Sequence, residues 1–517
     1  MLARRLTEDR DVSVLSLEAG GEARHPLMLM PLAFLRVGES STYNWKYETE
    51  PEPHMNGRRI PIGRGRGLGG SSSINALIFS RGHPRDYDRW REQGLEGWSY
   101  ADVLPYFKRL ETDWRGAGPH HGGDGPIRVT QMTAAEMLYE PLRSAAQAVG
   151  IPHNDDPNGQ RQEGISRMES SIGDGRRSST ARAYLGPARV RRNLTVRTGA
   201  LTTRILVEKG RAVGVEYAKG GKLEQVRGTR EVLLCAGTYG SPQILMLSGI
   251  GPGAELKGHG IPVVLDSPGV GANLSEHSNF INFYSLRQPL GLTGSLRVDR
   301  ATALVARWFA RHDGVFATNG ATANIFLKTR EGIDRPDIQL TPMAVNNSAG
   351  LWFPWLTRAP VYCLSTRIGV LHPGSRGWVK LRSANPRDKP RILFNLYDDP
   401  EDMATMIRGL RACRELFAQS PLREMIDREM APGTSVQSDS DLAQAIRRDG
   451  GHRSHPVGTC RMGVDEHSVV DPQLRVRGIE GLRVVDASVM PEVPGGNTNI
   501  PTIMIGEKAA DLIRAAR

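Results

Sequence analysis

Three kinds of residue in this 517-residue chain could do chemistry. Glu18 closes an alternating apolar stretch, Asp11 to Leu17, and Gly20 and Gly21 follow it. An acid at such a strand end is where a dinucleotide fold holds ribose hydroxyls. Gly65, Gly67 and Gly70 in "GRGRGLGGSSSINALIF" have G-x-G-x-x-G spacing, and the small residues Ser71 to Ser73 let backbone approach a flat or anionic ligand closely. The 13 histidines supply candidate general bases near neutral pH. His120, His121 and His153 lie in Gly/Pro/Asn-rich loops without metal-ligand spacing, so they are read as structural and no metal is expected.

The elements that must position these residues alternate in style. Residues 2 to 8 favour helix and 11 to 17 strand. Residues 194 to 207 and 212 to 217 read as paired strands, and 231 to 236 as an apolar strand feeding the Gly turn and helix of "GTYGSPQILMLSGIG". From about 280 to 450 the pattern changes. Strands are predicted at 337–346 and 361–371, with "HPGSRG" turning into "WVKLRS" as an antiparallel hairpin, and a capped amphipathic helix at 400–419. Strand and Gly-rich turns return after 452, with a closing helix at 504–516. The expected architecture is an α/β, Rossmann-like domain interrupted by an α+β domain with an antiparallel sheet. Its boundaries fall at 1–279, 280–451 and 452–517.

The bulk properties exclude several classes. A net charge of +11 is scattered, with no basic block or aromatic-interleaved stripe, so a nucleic-acid partner is not expected. No apolar run approaches the ~18 residues of a membrane span. Cys235, Cys363, Cys413 and Cys460 make no C-x-x-C pair, which reads as free thiols in a reducing, cytoplasmic compartment.

"GRGLGGSSSIN" with Phe79, Gly82 and Asp88 resembles the first signature of the glucose–methanol–choline (GMC) oxidoreductases. "GTYGSPQILMLSGIG" is similar to their second signature. "HPVGTCRMG" and "GLRVVDASVMPEVPGGNTNIPTIMIGEKAADLI" are similar to their C-terminal active-site block. Within the family the chain looks most like bacterial alcohol and choline dehydrogenase relatives, including hydroxymethylfurfural-type oxidases.

The resemblance implies FAD. Glu18 would hold the adenosine ribose and Thr202 would meet the adenine through its backbone. Gly67, Leu68, Gly69, Gly70, Ser71 and Ser72, then Asn75, Ala76, Leu77 and Ile78, would pass along the pyrophosphate and isoalloxazine. Asp486 and Ala487 would sit near the ribitol and pyrophosphate, and Asn499 would begin a helix aimed at the flavin C2 carbonyl. Members that link flavin covalently use a His where this chain has Ile74, so the FAD is expected to be non-covalent. His455 would be the general base, with Asn497, 42 positions on, orienting the alcohol. Cys460 is read as a packed thiol, and His452 as lying outside the pocket. The implied reaction takes a CH–OH group to the aldehyde, with oxygen or another acceptor receiving the electrons. Trp352, Phe353 and Trp355 of "GLWFPWLTR" would wall a pocket for an aromatic or apolar primary alcohol or, equally, pack in a core. A lyase that keeps FAD without redox turnover, as in the hydroxynitrile lyases, is the alternative.

Glu18 should stand about 20 residues beyond a G-x-G-x-x-G turn, yet 17 residues precede it. The 63–73 loop is not followed by a strand with an acidic end, so it is not that turn. The expectation is a shortened form that binds FAD weakly, the functional chain carrying roughly 20 to 30 further residues ahead of Met1. A flavin-poor, inactive protein is the corresponding alternative.

Overall fold

A computed structural model describes residues 1–516 except Arg24, Ala135, Glu136, Asn347, Ser348, Arg358 and Ala359. The helix Leu2–Leu6 leads into the strand Val14–Glu18, which pairs in parallel with Leu194–Thr198. A second parallel pair joins Val232–Leu234 to Leu482–Val484. These short apolar runs are strands because they are β-branched or Leu-rich and end in Gly turns. One hydrophobic core gathers them with Trp90, Trp98, Phe107 and the apolar face of the last helix, Asn499–Ala515. That helix begins five residues earlier than the apolar pattern predicts. Pro501 falls in its first turn, where no intrahelical N–H bond is lost.

The antiparallel sheet is built in the order Ile426–Ala431, Ser278–Leu286, Cys363–Val370, Ile338–Met343, Ala323–Leu327, Gly164–Arg167, and Gly451–His452 also pairs with Ser278–Leu286. The helix Pro400–Phe417 covers one face, and its N-cap Asp399 accepts the Glu401 N–H. At Gly409 an added Cβ would lie 2.7 Å from Ile338 Cδ1, so the missing side chain sets how near helix and sheet approach. Alternation along the strands sends Ile338, Leu340 and Ile368 into the core beneath that helix. Gln339, Thr341 and Arg367 therefore point the other way, and Thr341 and Arg367 line the cavity there.

Two local expectations change. The "HPGSRG" turn does not fold Trp378–Lys380 back on the preceding strand; that segment pairs with Arg391–Leu393 instead. The Asp402 carboxylate takes the Gly374 and Ser375 N–H groups, and Val379 N–H bonds Gly271 O, which carries the chain out of the sheet. Leu194–Thr198 is likewise not part of the meander. Leu201–Glu208 pairs with Arg211–Lys219, and Leu194–Thr198 turns to Val14–Glu18.

Among the described residues no helix is long and apolar enough to cross a membrane.

Candidate active site

A cavity of about 2060 Å³ runs between the α/β elements and the open face of the antiparallel sheet. At one end it is lined by Glu18, Thr202 and the facing edges of the two parallel strand pairs, Val14–Leu17 and Val232–Leu234. The Glu18 carboxylate accepts the Gly20 N–H at 2.7 Å. Burial raises its pKa, and the Gly20 and Gly67 amides oppose that rise. Gly20 has to be glycine here, because a Cβ would enter the Arg66–Gly67 peptide.

The middle of the cavity is walled by Gly69, Gly70, Ser71 and Ser72, followed by Asn75 to Ile78. Gly67 and Leu68 stay out of the wall; Leu68 donates its N–H to Gly21 O and is buried behind it. Arg177, itself buried, clamps this segment by donating to the carbonyls of Ser72 and Asn75 and to Asn75 Oδ1. Leu77 is held at φ 62°, an uncommon backbone for a bulky residue and one that concentrates at ligand clamps. Asp486 accepts from Gly237 N–H, Ser241 Oγ–H and Ser488 N–H, tying the second glycine turn to the C-terminal block. Ala487 and Asn499 line the same stretch. The last helix offers its first-turn N–H groups there, and Thr498 makes no side-chain cap. Gly70 and Gly237 both face open space where a Cβ would stand. Strand-end acid, glycine-walled channel and uncapped helix start suit a dinucleotide with a pyrophosphate and a flat ring.

His455 and Asn497 meet at the far end, with His455 Nε2 3.0 Å from Asn497 Nδ2. Two residues the sequence did not single out hold the histidine. Glu276 Oε1 accepts the His455 N–H at 2.7 Å, and His277 Nδ1 lies 3.0 Å from His455 Nδ1. His277 Nε2 lies 3.0 Å from Leu371 O, a carbonyl that can only accept. His277 therefore carries its proton on Nε2, and its bare Nδ1 accepts from His455 Nδ1–H. That leaves the lone pair of His455 on Nε2, toward Asn497 and the cavity. Burial, then the charge of Arg453, pushes His277 down to about 3. Burial, then His277 and Arg453, holds His455 well below the ordinary histidine range. Both rings are neutral at physiological pH. Asn497 Oδ1 in turn accepts from Gln339 Nε2 at 3.4 Å, which orients its amide so that the NH₂ faces the histidine.

Of the remaining candidates, His452 bonds Glu276 and Pro61 O and lies outside the cavity wall. Cys460 is buried. The aromatics of 350–358 do not wall the cavity; Arg358 lies outside the described residues. Trp355 is 98 % exposed, Phe353 is also exposed, and Trp352 donates its indole N–H to Thr293 O. The cavity-facing strands carry Thr341, Met343 and Arg367 instead. His121 meets Glu111 and Asp113 in a buried group of metal-ligand type. Arg81 on Glu111 and Arg115 on Asp113 supply counter-charge there, and His121 bridges Glu111 to Asp156 as a cation.

His277 left little trace in the sequence. It stands 178 positions from His455, and its only mark is an acid–histidine pair, Glu276–His277, opening an apolar strand.

Family signatures described as GMC oxidoreductase match residues 17–279 and 373–506. The chain is 44% identical over 521 residues to an oxygen-dependent choline dehydrogenase of Paraburkholderia phymatum, covering 99% of this chain and 90% of that one. It is 45% identical over 522 residues to the protein of that name from Pseudomonas savastanoi pv. phaseolicola, covering 99% and 91%. Among solved structures it resembles pyridoxine 4-oxidase from Mesorbium loti, with TM-score 0.87, 30% identity and coverage of 99% and 96%. It also resembles formate oxidase from Aspergillus oryzae RIB40, with TM-score 0.93, 27% identity and coverage of 100% and 96%.

Proposed function

Because this chain belongs to the GMC oxidoreductases, FAD-dependent flavoenzymes, we propose that it oxidises the CH–OH group of a small alcohol to a carbonyl, with His455 as the base. One observation carries this reading. The cavity-facing nitrogen of His455 is a bare lone pair, and Asn497 stands beside it as a donor. In this reading residues 1–279 and 452–517 hold the cofactor and 280–451 form most of the substrate side.

Glu18 would hold the ribose and Thr202 the adenine edge. Gly69–Ser72 with Asp486 and Ala487 would flank the pyrophosphate. Asn75–Ile78 and the helix start at Asn499 would lie along the flavin. The FAD is proposed to be held non-covalently, since Ile74 occupies the position the covalent members use. FAD, when bound, accepts the hydride released from the alcohol carbon.

The alcohol O–H donates to His455 Nε2, and the second N–H of Asn497 donates to the alcohol oxygen. As the carbon loses hydride, the hydroxyl proton passes to His455 Nε2, and Asn497 stabilises the developing alkoxide. Holding His455 neutral keeps that lone pair free at every physiological pH.

The electron acceptor is proposed to be oxygen or another small acceptor, and the compartment cytoplasmic. Anaerobic mixing of the FAD-loaded protein with alcohols tests the reading. Bleaching of the flavin at a rate that rises with alcohol concentration is expected, and the lyase alternative requires no bleaching.

A further inference from the structure

Asn497 is held loosely through its own amide. Gln339 donates to its Oδ1 at 3.4 Å, and its Nδ2 lies 3.0 Å from His455 Nε2. Its backbone is held more tightly, two residues upstream. The Gly495 N–H donates to Asp86 Oδ2 at 2.7 Å, and the Gly495 carbonyl accepts from Gln162 Nε2 at 2.6 Å. Asp86 and Gln162 are each 2 % exposed, and both stand behind the cavity wall. The Gly496 N–H folds back on Pro494 O at 2.7 Å, so both peptides flanking Gly495 are fixed. Close packing completes the turn. An added Cβ at Gly495 would stand 2.8 Å from His372 Cε1, and one at Gly496 would stand 2.4 Å from Ser80 Oγ.

Asp86 also joins this turn to the rest of the site. It lies in the first turn of the helix Pro84–Glu92, where its Oδ2 accepts the His83 N–H at 2.7 Å as well. Its Oδ1 accepts from Arg335 Nη1 at 2.5 Å. Arg335 stands three residues ahead of the strand Ile338–Met343, which carries Gln339. One buried carboxylate thus takes donors from a helix start, from the approach to the antiparallel sheet and from the segment that carries Asn497. Burying a carboxylate is costly unless charge and hydrogen bonds meet it. Here both oxygens are met, and charge-assisted bonds of this kind are short and strong. The turn after Cys363–Val370 serves both partners of the alcohol. Leu371 O sets the His277 proton, and the next residue, His372, stands where a Gly495 side chain would project.

We propose that Asp86 and Gln162 are positioning residues for the oxidation, fixing the Gly495 peptide so that the Asn497 amide is aimed at His455 Nε2 and at the alcohol oxygen. The proposal rests on the reading of His455 and Asn497 as the pair that meets the alcohol. A misplacement of about 1 Å in such a group costs up to about 10²-fold in rate.

Asp86→Asn replaces one acceptor oxygen by an NH₂, and Gln162→Met removes the donor while keeping the length of the side chain. With FAD in excess, each should slow the limiting rate of flavin reduction by choline or benzyl alcohol roughly threefold to tenfold, and no more than Asn497→Ala does. In the Asn497→Ala background either substitution should cost less than about twofold, because the group it aims is gone. A merely structural role would multiply the two losses instead. Labelling with ¹⁵N-histidine gives a readout that needs no turnover. The His455 Nε2 resonance, identified by its loss in His455→Ala, should move in both variants toward its position in Asn497→Ala, and Trp355→Ser should leave it in place. Circular dichroism checks that each variant is folded, and if Asp86→Asn is not, Gln162→Met carries the same tests. An unmoved His455 resonance, parental reduction rates, or losses that multiply with Asn497→Ala overturn the proposal. Flavin that no alcohol bleaches overturns the redox reading alone; a His455 resonance moved in the folded variants would still support the aiming of Asn497.

Discussion

His277 and His455 face each other through their Nδ1 atoms, 3.0 Å apart with ring planes at 89°. One of two facing nitrogens must donate, and the Leu371 carbonyl decides which. His277→Ala removes the acceptor that holds the proton on His455 Nδ1. Flavin reduction should slow roughly tenfold or more with little change in the alcohol concentration giving half-maximal rate. His277→Asn offers both a donor and an acceptor and should recover part of the loss. A purely structural role would instead lower both variants' thermal midpoints and leave their reduction rates alike.

His455→Ala should slow flavin reduction by about 10²-fold or more, the scale of a lost general base, with bound flavin retained. Asn497→Ala should slow it less and also weaken alcohol binding. Stopped-flow absorbance reads both, and a parental rate in His455→Ala would remove it from the mechanism.

The depressed proton affinity of His455 and His277 shapes the pH profile. Their folded values lie below the ordinary 6.5, so both stay neutral as pH falls through that value. The limiting rate of flavin reduction should therefore show no half-loss near pH 6.5. Stability moves the other way. The unfolded chain takes up these protons below 6.5, so these residues make stability fall as pH drops from 6.5 toward about 3. Rate profiles and pH-dependent denaturant midpoints check the two signs separately.

His121 has the opposite sign. Burial opposes its charge, but its bonds to Asp156 and Glu111 outweigh that and raise it to about 9. Its stabilisation is fully present below 6.5 and is lost as pH rises through about 9. His121→Gln should cost about 3 kcal/mol at pH 6, and the difference from the parent should shrink by pH 9.5 in urea titrations.

Trp355 stands 98 % exposed and apart from the cavity. Trp355→Ser should change stability by no more than about 0.5 kcal/mol and leave flavin reduction within about twofold. A large loss of alcohol binding would place the 350–358 segment at the site after all.

The sequence by itself determined the parts whose function is written in local backbone chemistry. Glu18 after an alternating strand, Gly69 and Gly70, and Asp486 after "LRVV" stood out because tight turns and close backbone approach demand particular residue types at short spacing, and all four line the cavity. His455 and Asn497 were legible as a pair because both sit in motif-dense stretches. The capped helix expected at 400–419 and two strands of the antiparallel sheet, Ile338–Met343 and Cys363–Val370, followed from the sequence pattern, whereas the remaining strands of that sheet were not singled out. Tertiary structure decided what depends on residues far apart in the chain. Which nitrogen of His455 is basic rests on His277 and Leu371, brought together by a sheet strand and the turn after another. Arg367 is an ordinary arginine in sequence until strand alternation and its pairing opposite Thr341 turn it to the cavity, where Arg64 and Arg453 also arrive from distant segments. The aromatic cluster at 352–355 carried the reverse lesson. Composition is a local property and exposure is not, so a run of rings could be counted in the sequence and placed only by the fold.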